Sequence, residues 1–165
     1  MGSEVLLEIK NLVTEFRTED EIVKAVNDVS FTVNNGETVG IVGESGSGKS
    51  VTSLSTMRLI PNPPGRIASG EILFNSPTMG RVDLSTLEEK EMRKIRGNEI
   101  AMIFQEPMTS LNPVYTCGNQ VMEALMLHQK ISKKEAKEKT IQLFNEVQLP
   151  RPEAIFDTYP HQISG

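Results

Sequence analysis

Apolar and polar positions alternate, cluster and then change period along the chain. Leu6 to Phe16 and Ile22 to Val33 are rich in β-branched and apolar residues and predict two strands, separated by the polar stretch Arg17-Thr18-Glu19-Asp20-Glu21. Asn35-Gly36 is a strong hairpin signal and predicts that Phe31-Thr32-Val33 turns back into a strand over Thr38 to Val42. A helix is expected from Val51 to Leu59, stopped before Pro61, with Pro61-Asn62-Pro63-Pro64-Gly65 as a rigid connection. Gly70 to Phe74 and Arg81 to Leu84 predict short strands joined through Asn75-Ser76-Pro77. Ser85 stands three residues before Glu88, the spacing of a capping box, and predicts a helix through Arg96. Glu99 to Phe104 is a compact apolar run of strand length that ends in Gln105-Glu106-Pro107.

From Val114 onward the period is helical. Val121, Met122, Leu125 and Met126 fall on one helix face, and Ala136, Thr140, Leu143, Phe144 and Val147 on another. Ser132 and Glu135 form a second capping-box pair. The charge run from Lys133 to Lys139 reads as a solvated helix face, with Glu135 and Lys139 at a favourable spacing. Met122 and Met126 read as core, or as a partner-facing groove. Leu149-Pro150-Arg151-Pro152 ends the helical pattern.

The 165 residues allow one domain with a sizeable core or a piece of a larger one, and 38% hydrophobic residues is ordinary for a globular chain. A net charge of -5 provides no electrostatic footprint for nucleic acid or anionic lipid. The single Cys117 rules out an internal disulfide and mildly favours a reducing compartment. No N-terminal signal pattern is visible, and no apolar run approaches the ~20 residues of a membrane helix, so any membrane role is expected to be peripheral.

The chemistry concentrates in Gly43-Glu44-Ser45-Gly46-Ser47-Gly48-Lys49-Ser50, which fits the phosphate-binding pattern G-x-x-x-x-G-K-[ST] between an apparent strand and a helix. Glycines there permit backbone conformations closed to other residues, so successive N–H groups can turn inward beneath the positive end of a helix. Lys49 is expected to reach the β- and γ-phosphates and the Ser50 hydroxyl to serve a Mg²⁺ site. Gln105, polar at the end of an apolar run, reads as a loop cap or a site residue.

Taken together these residues resemble the nucleotide-binding subunits of ABC transporters, more narrowly the oligopeptide, dipeptide and nickel importers. The resemblance spans essentially the whole chain. It is carried by the loop from Gly43 to Ser50, by the run from Met102 to Pro113, and by the terminal Tyr159-Pro160-His161-Gln162-Ile163-Ser164-Gly165. It implies an α/β P-loop NTPase fold, truncated, with an antiparallel β part and phosphate-loop core over residues 1–106 and a helical part over 107–165. It implies ATP with Mg²⁺ as the ligand and contacts to nucleotide from Gly43 through Val51, with Lys49 and Gln105 in catalytic places and Ser50 and Gln105 at the metal. Phe16 matches by position the aromatic that stacks on adenine; the alternative reading is a core residue. Implied partners are the cytoplasmic loops of membrane permease subunits and a second nucleotide-binding subunit, which places the protein at the inner face of the cell membrane.

Family members continue past Ser164-Gly165 into a longer signature, an acidic Walker B strand with a catalytic Glu, and a switch His. Neither His128 nor His161 stands in the switch context. The resemblance is therefore to the first half of a nucleotide-binding domain, expected to bind nucleotide with little or no turnover. Such a half is expected to expose an unpaired strand edge and to associate with itself. Two alternatives stand beside this reading. A small-molecule kinase would carry an arginine-bearing lid, whereas the segment after Asn112 is Lys/Glu-rich with Arg only at 151. An interaction module would dock its helical segment, from about Val114 to Phe156, on a membrane subunit without using the nucleotide site.

Overall fold

The structure, a computed structural model, describes residues 4–104 and 110–163. It divides into two compact units, Met1–Ala101 and Met102–Gly165.

The first unit is built on an antiparallel sheet of four strands, β1 (Val5–Arg17), β2 (Ile22–Asn34), β3 (Gly65–Ser76) and β4 (Gly80–Asp83), in the order β2-β1-β3-β4. Ile9, Leu12, Val26, Ile72 and Phe74 from the strands meet Leu84, Met92 and Ile95 in one buried cluster. Register shifts interrupt the pairing of β1 at several places, one of them a bulge between Ile9 and Leu12. Asn11 and Asp28 take left-handed backbone, φ 47° and 58°, and the Asn11 Nδ2 donates to Asp28 Oδ1 at 2.8 Å. Both residue types tolerate that region better than most. Gly70 faces the bulge with φ 98°, where any Cβ would press on the backbone of Lys10, Asn11 and Leu12.

Helix α1 (Lys49–Thr56) and helix α2 (Glu89–Ile95) belong to the same unit. The buried residues of α1 are Thr52, Ser55 and Thr56, an unusual set for a packed face. Their hydroxyls donate to the carbonyls of Gly48, Val51 and Thr52 at 2.9, 2.7 and 3.1 Å, so burial leaves no donor unpaired.

Residues 38 to 42 form no strand and pair with nothing among the described residues; Val42 is 93% exposed. A buried strand needs a neighbour to take its N–H and C=O groups, and β2 spends its ladder on β1. Asn35-Gly36 does turn, with Gly36 at φ 73°, but the turn closes through Glu37 accepting from the Asn34 N–H rather than by a returning strand. Residues 99 to 104 form only an isolated bridge, Arg96 with Ile100, and Ile103 is 98% exposed. Ser85 does not cap α2. Its N–H and hydroxyl both go to Asp83 Oδ1, at 2.9 and 2.7 Å, and Glu88 stands at the cap without a side-chain bond.

The second unit is helical, with α3 (Cys117–His128), α4 (Lys133–Glu146) and the short α5 (Pro152–Phe156), followed by a 3-10 turn over Pro160–Gln162. Cys117, Met122, Ala136, Phe144 and Phe156 form its core. Burial there pushes the Cys117 thiol pKa up. The Ser132 and Glu135 box is present in both directions. The helix faces are narrower than the periodicity predicted: Ala136, Thr140 and Phe144 are buried at strict four-residue spacing, whereas Leu143, Val147 and Met126 are exposed.

Candidate functional site

The loop from Gly43 to Ser50 leads into α1, and two of its glycines set its course. Gly46 and Gly48 have φ 81° and 87°, a region that L side chains enter only with strain. Gly48 is the N-cap of α1; no side chain caps this end and no acidic residue stands in the first turn. The N–H groups that every helix leaves unpaired at its start therefore remain available, with the positive end of the helix dipole behind them.

Lys49 folds back across the loop. Its Nζ donates to the Gly43 carbonyl at 2.8 Å, to the Glu44 carbonyl at 2.6 Å and to Ser47 Oγ at 3.2 Å. Ser47 N donates to the Glu44 carbonyl at 3.2 Å, closing the turn. The result is an ammonium held among carbonyl oxygens at the mouth of a loop of N–H donors. Ser50 is exposed on the first turn of α1. Its hydroxyl makes no side-chain hydrogen bond to another described residue, which leaves a hard oxygen free for a cation such as Mg²⁺. Val51, next along, is partly buried against the core of the first unit.

Phe16 lies next to the last residue of β1 and is half-buried, paired across the sheet with Val23 on one side and Gly65 on the other. The ring is close to Gly65, where an added Cβ would meet Phe16 Cε1 at 2.7 Å. The ribbon of β1 and β2 connects it to the loop, because Gly48 abuts the Ala25 carbonyl of β2, two residues beyond Val23. Gln105 lies outside the described residues.

Two polar contacts at α1 lie outside the site read from the sequence. Thr14 Oγ1 and Ser55 Oγ lie 2.8 Å apart in the buried interface of β1 and α1. Arg96 reaches the far end of α1, donating to the Met57 carbonyl at 2.8 Å and the Arg58 carbonyl at 3.1 Å. The guanidinium also pairs with Glu89 Oε1 at 2.7 Å, and that hydrogen bond holds the Glu89 carboxyl pKa below the usual value. A polar Thr inside the apolar run Leu12-Val13-Thr14 was the available signal for the first pair. Nothing in sequence spacing points from Arg96 to residues 57 and 58.

A loop of the pattern G-x-x-x-x-G-K-[ST] opening a helix at Gly48 is the phosphate loop of P-loop nucleotide-binding proteins. The sequence profile of the ABC transporter family matches residues 26–165, and the chain belongs to that family. It is 51% identical over 160 residues to the oligopeptide transport ATP-binding protein OppD of Bacillus subtilis, covering 97% of this chain and 43% of the relative. Among solved structures, a bacterial ABC transporter cassette in dimeric form superposes with a TM-score of 0.80 at 25% identity, over 97% of this chain and 64% of that one. The post-hydrolysis state of that cassette, bound to ADP and Pi, also gives 0.80, at 24% identity over 96% of this chain and 63% of that one. The chain spans about half the length of the curated relatives it matches.

Proposed function

We propose that this chain is the nucleotide-binding half-site of an importer ATPase subunit for peptides or nickel, with Mg-ATP as its ligand. The observation that carries the reading is the geometry of Lys49. An ammonium held by the Gly43 and Glu44 carbonyls and the Ser47 hydroxyl lies beside the open N–H groups of the α1 start, where phosphate oxygens would exchange for those contacts. Relatives named as oligopeptide transport ATP-binding proteins, and a neighbour solved with ADP and Pi, support the choice of ligand and of solute class.

In this reading Lys49 and the loop N–H groups hold the β- and γ-phosphates and offset charge that develops during in-line attack by water. Ser50 would hold Mg²⁺, joined by Gln105 as family resemblance implies; the ion would supply charge neutralisation. Phe16 would bear on the adenine. The residues from Gly43 to Val51 form the cradle. The exposed apolar residues Val114, Tyr115 and Leu127 of the helical unit would meet cytoplasmic loops of permease subunits at the inner face of the membrane. Among the described residues no helix is long and apolar enough to cross a membrane. A second nucleotide-binding subunit would complete each site, and the exposed Val42 segment favours self-association of this chain.

Thermal denaturation tests the reading. Mg-ATP at about 100 times its dissociation constant should add roughly 2.7 kcal/mol to stability and raise the melting temperature, and Lys49→Ala should abolish the rise. An equal rise in the variant, or none in the parent, overturns it.

A further inference from the structure

We infer that Arg96 is a positioning residue for the phosphate loop, acting from the opposite end of α1. The inference rests on the nucleotide reading above for its consequence, but its structural basis is separate. Eight residues at about 1.5 Å rise make α1 about 12 Å long, too short to be stable as an isolated helix. Its direction is therefore set by what holds it from outside. Gly48 rests on the Ala25 carbonyl at one end, and Ser55 meets Thr14 in the last turn. Beyond that turn the carbonyls of Met57 and Arg58 are held by one guanidinium.

Arg96 suits this task in a way that few side chains could. Its planar fork donates Nε to Met57, one terminal nitrogen to Arg58 and the other to Glu89, so its plane is fixed by three acceptors at once. A cation at the carboxyl end of a helix also complements its dipole. The brace is reciprocal. Arg58 donates its own guanidinium to the Leu87 carbonyl, just ahead of α2. Arg96 is itself anchored by its bridge to Ile100 and by its N–H bond to the Met92 carbonyl at 3.0 Å.

Without the brace α1 can pivot about the Ser55–Thr14 contact. A tilt of about 10° there moves the first turn, six residues away, by about 1.5 Å. Displacements near 1 Å are enough to lower binding or rate by up to about a hundredfold. Arg96 thus touches no nucleotide, yet fixes where Gly48, Lys49 and Ser50 stand.

The test compares Arg96→Lys with Ile95→Val in the 165-residue chain, by amide NMR without nucleotide and by Mg-ATP titration well below the melting temperature. Lysine keeps the charge but gathers its donors on one nitrogen and cannot span acceptors set around a planar fork, whereas Ile95→Val loosens the neighbouring core and leaves the brace whole. The expected result is that Arg96→Lys moves the Gly46 and Gly48 amide resonances and weakens Mg-ATP by roughly tenfold, while Ile95→Val does neither. Unmoved glycine amides in Arg96→Lys overturn the inference, whatever the affinity does. Moved amides in a chain whose parent form fails to bind Mg-ATP uphold the brace and overturn the nucleotide reading instead. Should Arg96→Lys not fold, Glu89→Ala, which frees one arm of the fork, carries the same comparison with smaller shifts.

Discussion

Gly48 sits directly against the carbonyl oxygen of Ala25, so closely that a Cβ built on the glycine would collide with it. Gly46, two residues earlier, has the same left-handed backbone but open space around it. The two glycines therefore separate conformational strain from steric exclusion. Gly46→Ala should cost about 1 kcal/mol, the strain alone. Gly48→Ala adds displacement of α1 from β2 and should cost about 3 kcal/mol. Urea denaturation of the two variants checks the difference. Equal losses would mean that the contact with Ala25 does not hold the loop.

The buried hydroxyls of Thr14 and Ser55 form a pair whose direction can be assigned. Ser55 has one proton and donates it to the Val51 carbonyl at 2.7 Å, so Thr14 is the donor across the 2.8 Å contact. Ser55→Ala removes the acceptor and strands a buried Thr14 proton, with an expected loss of about 2 kcal/mol. Thr14→Val removes the donor while Ser55 keeps its helical bond, and should cost about 1 kcal/mol. In a double-mutant cycle the two should couple by about 1 kcal/mol. A larger loss for Thr14→Val would reverse the assignment.

What the sequence disclosed follows from how local each signal is. The phosphate loop was legible because its residues are contiguous and glycine supplies the required backbone at Gly46 and Gly48. The strands β1 and β2 were legible because alternation and β-branching are properties of neighbours. The Ser132 box was legible and real, yet the same spacing at Ser85 misled, because Asp83 lies two residues away and its carboxylate takes both Ser85 donors. The apolar runs at 38–42 and 99–104 read as buried strands, but burial requires a partner strand, which a run of residues cannot specify about itself. Arg96 was illegible because its acceptors lie 38 and 39 residues away.

The capping box of α4 also predicts a pH dependence. The Ser132 hydroxyl and N–H donate to Glu135 Oε2 at 2.6 and 2.8 Å, and these bonds hold the Glu135 pKa below its ordinary 4.5. A carboxyl depressed in the folded state contributes stability fully above its unfolded pKa and loses it as pH falls through the folded one. The helical unit should therefore weaken from about pH 4.5 downward. Carboxyl NMR titration should place Glu135 below 4.5, and Ser132→Ala should return it toward that value with an N-cap loss of about 1 kcal/mol. An unchanged Glu135 titration in Ser132→Ala would remove the basis for the pH effect.

Packing of α3 on α5 depends on Gly118 in the same way that α1 depends on Gly48, but here without backbone strain. A Cβ at Gly118 would run into the Phe156 ring and come within 2.6 Å of its carbonyl oxygen. Phe156 is 4% exposed and carries Lys137 Nζ 4.6 Å above its ring, so it ties α3, α4 and α5 together. A methyl group on Gly118 cannot be accommodated by a rotamer change, because one obstacle is backbone. Gly118→Ala should cost about 2 kcal/mol by overpacking even though alanine favours helix by about 1 kcal/mol. Lys137→Ala should cost less than about 1 kcal/mol, the scale of an exposed cation–π contact. Hydrogen exchange should show the Gly118→Ala loss as faster exchange in α3 to α5, with the protection of β1 and β2 preserved. Faster exchange in those two strands as well would mean that the two units unfold together.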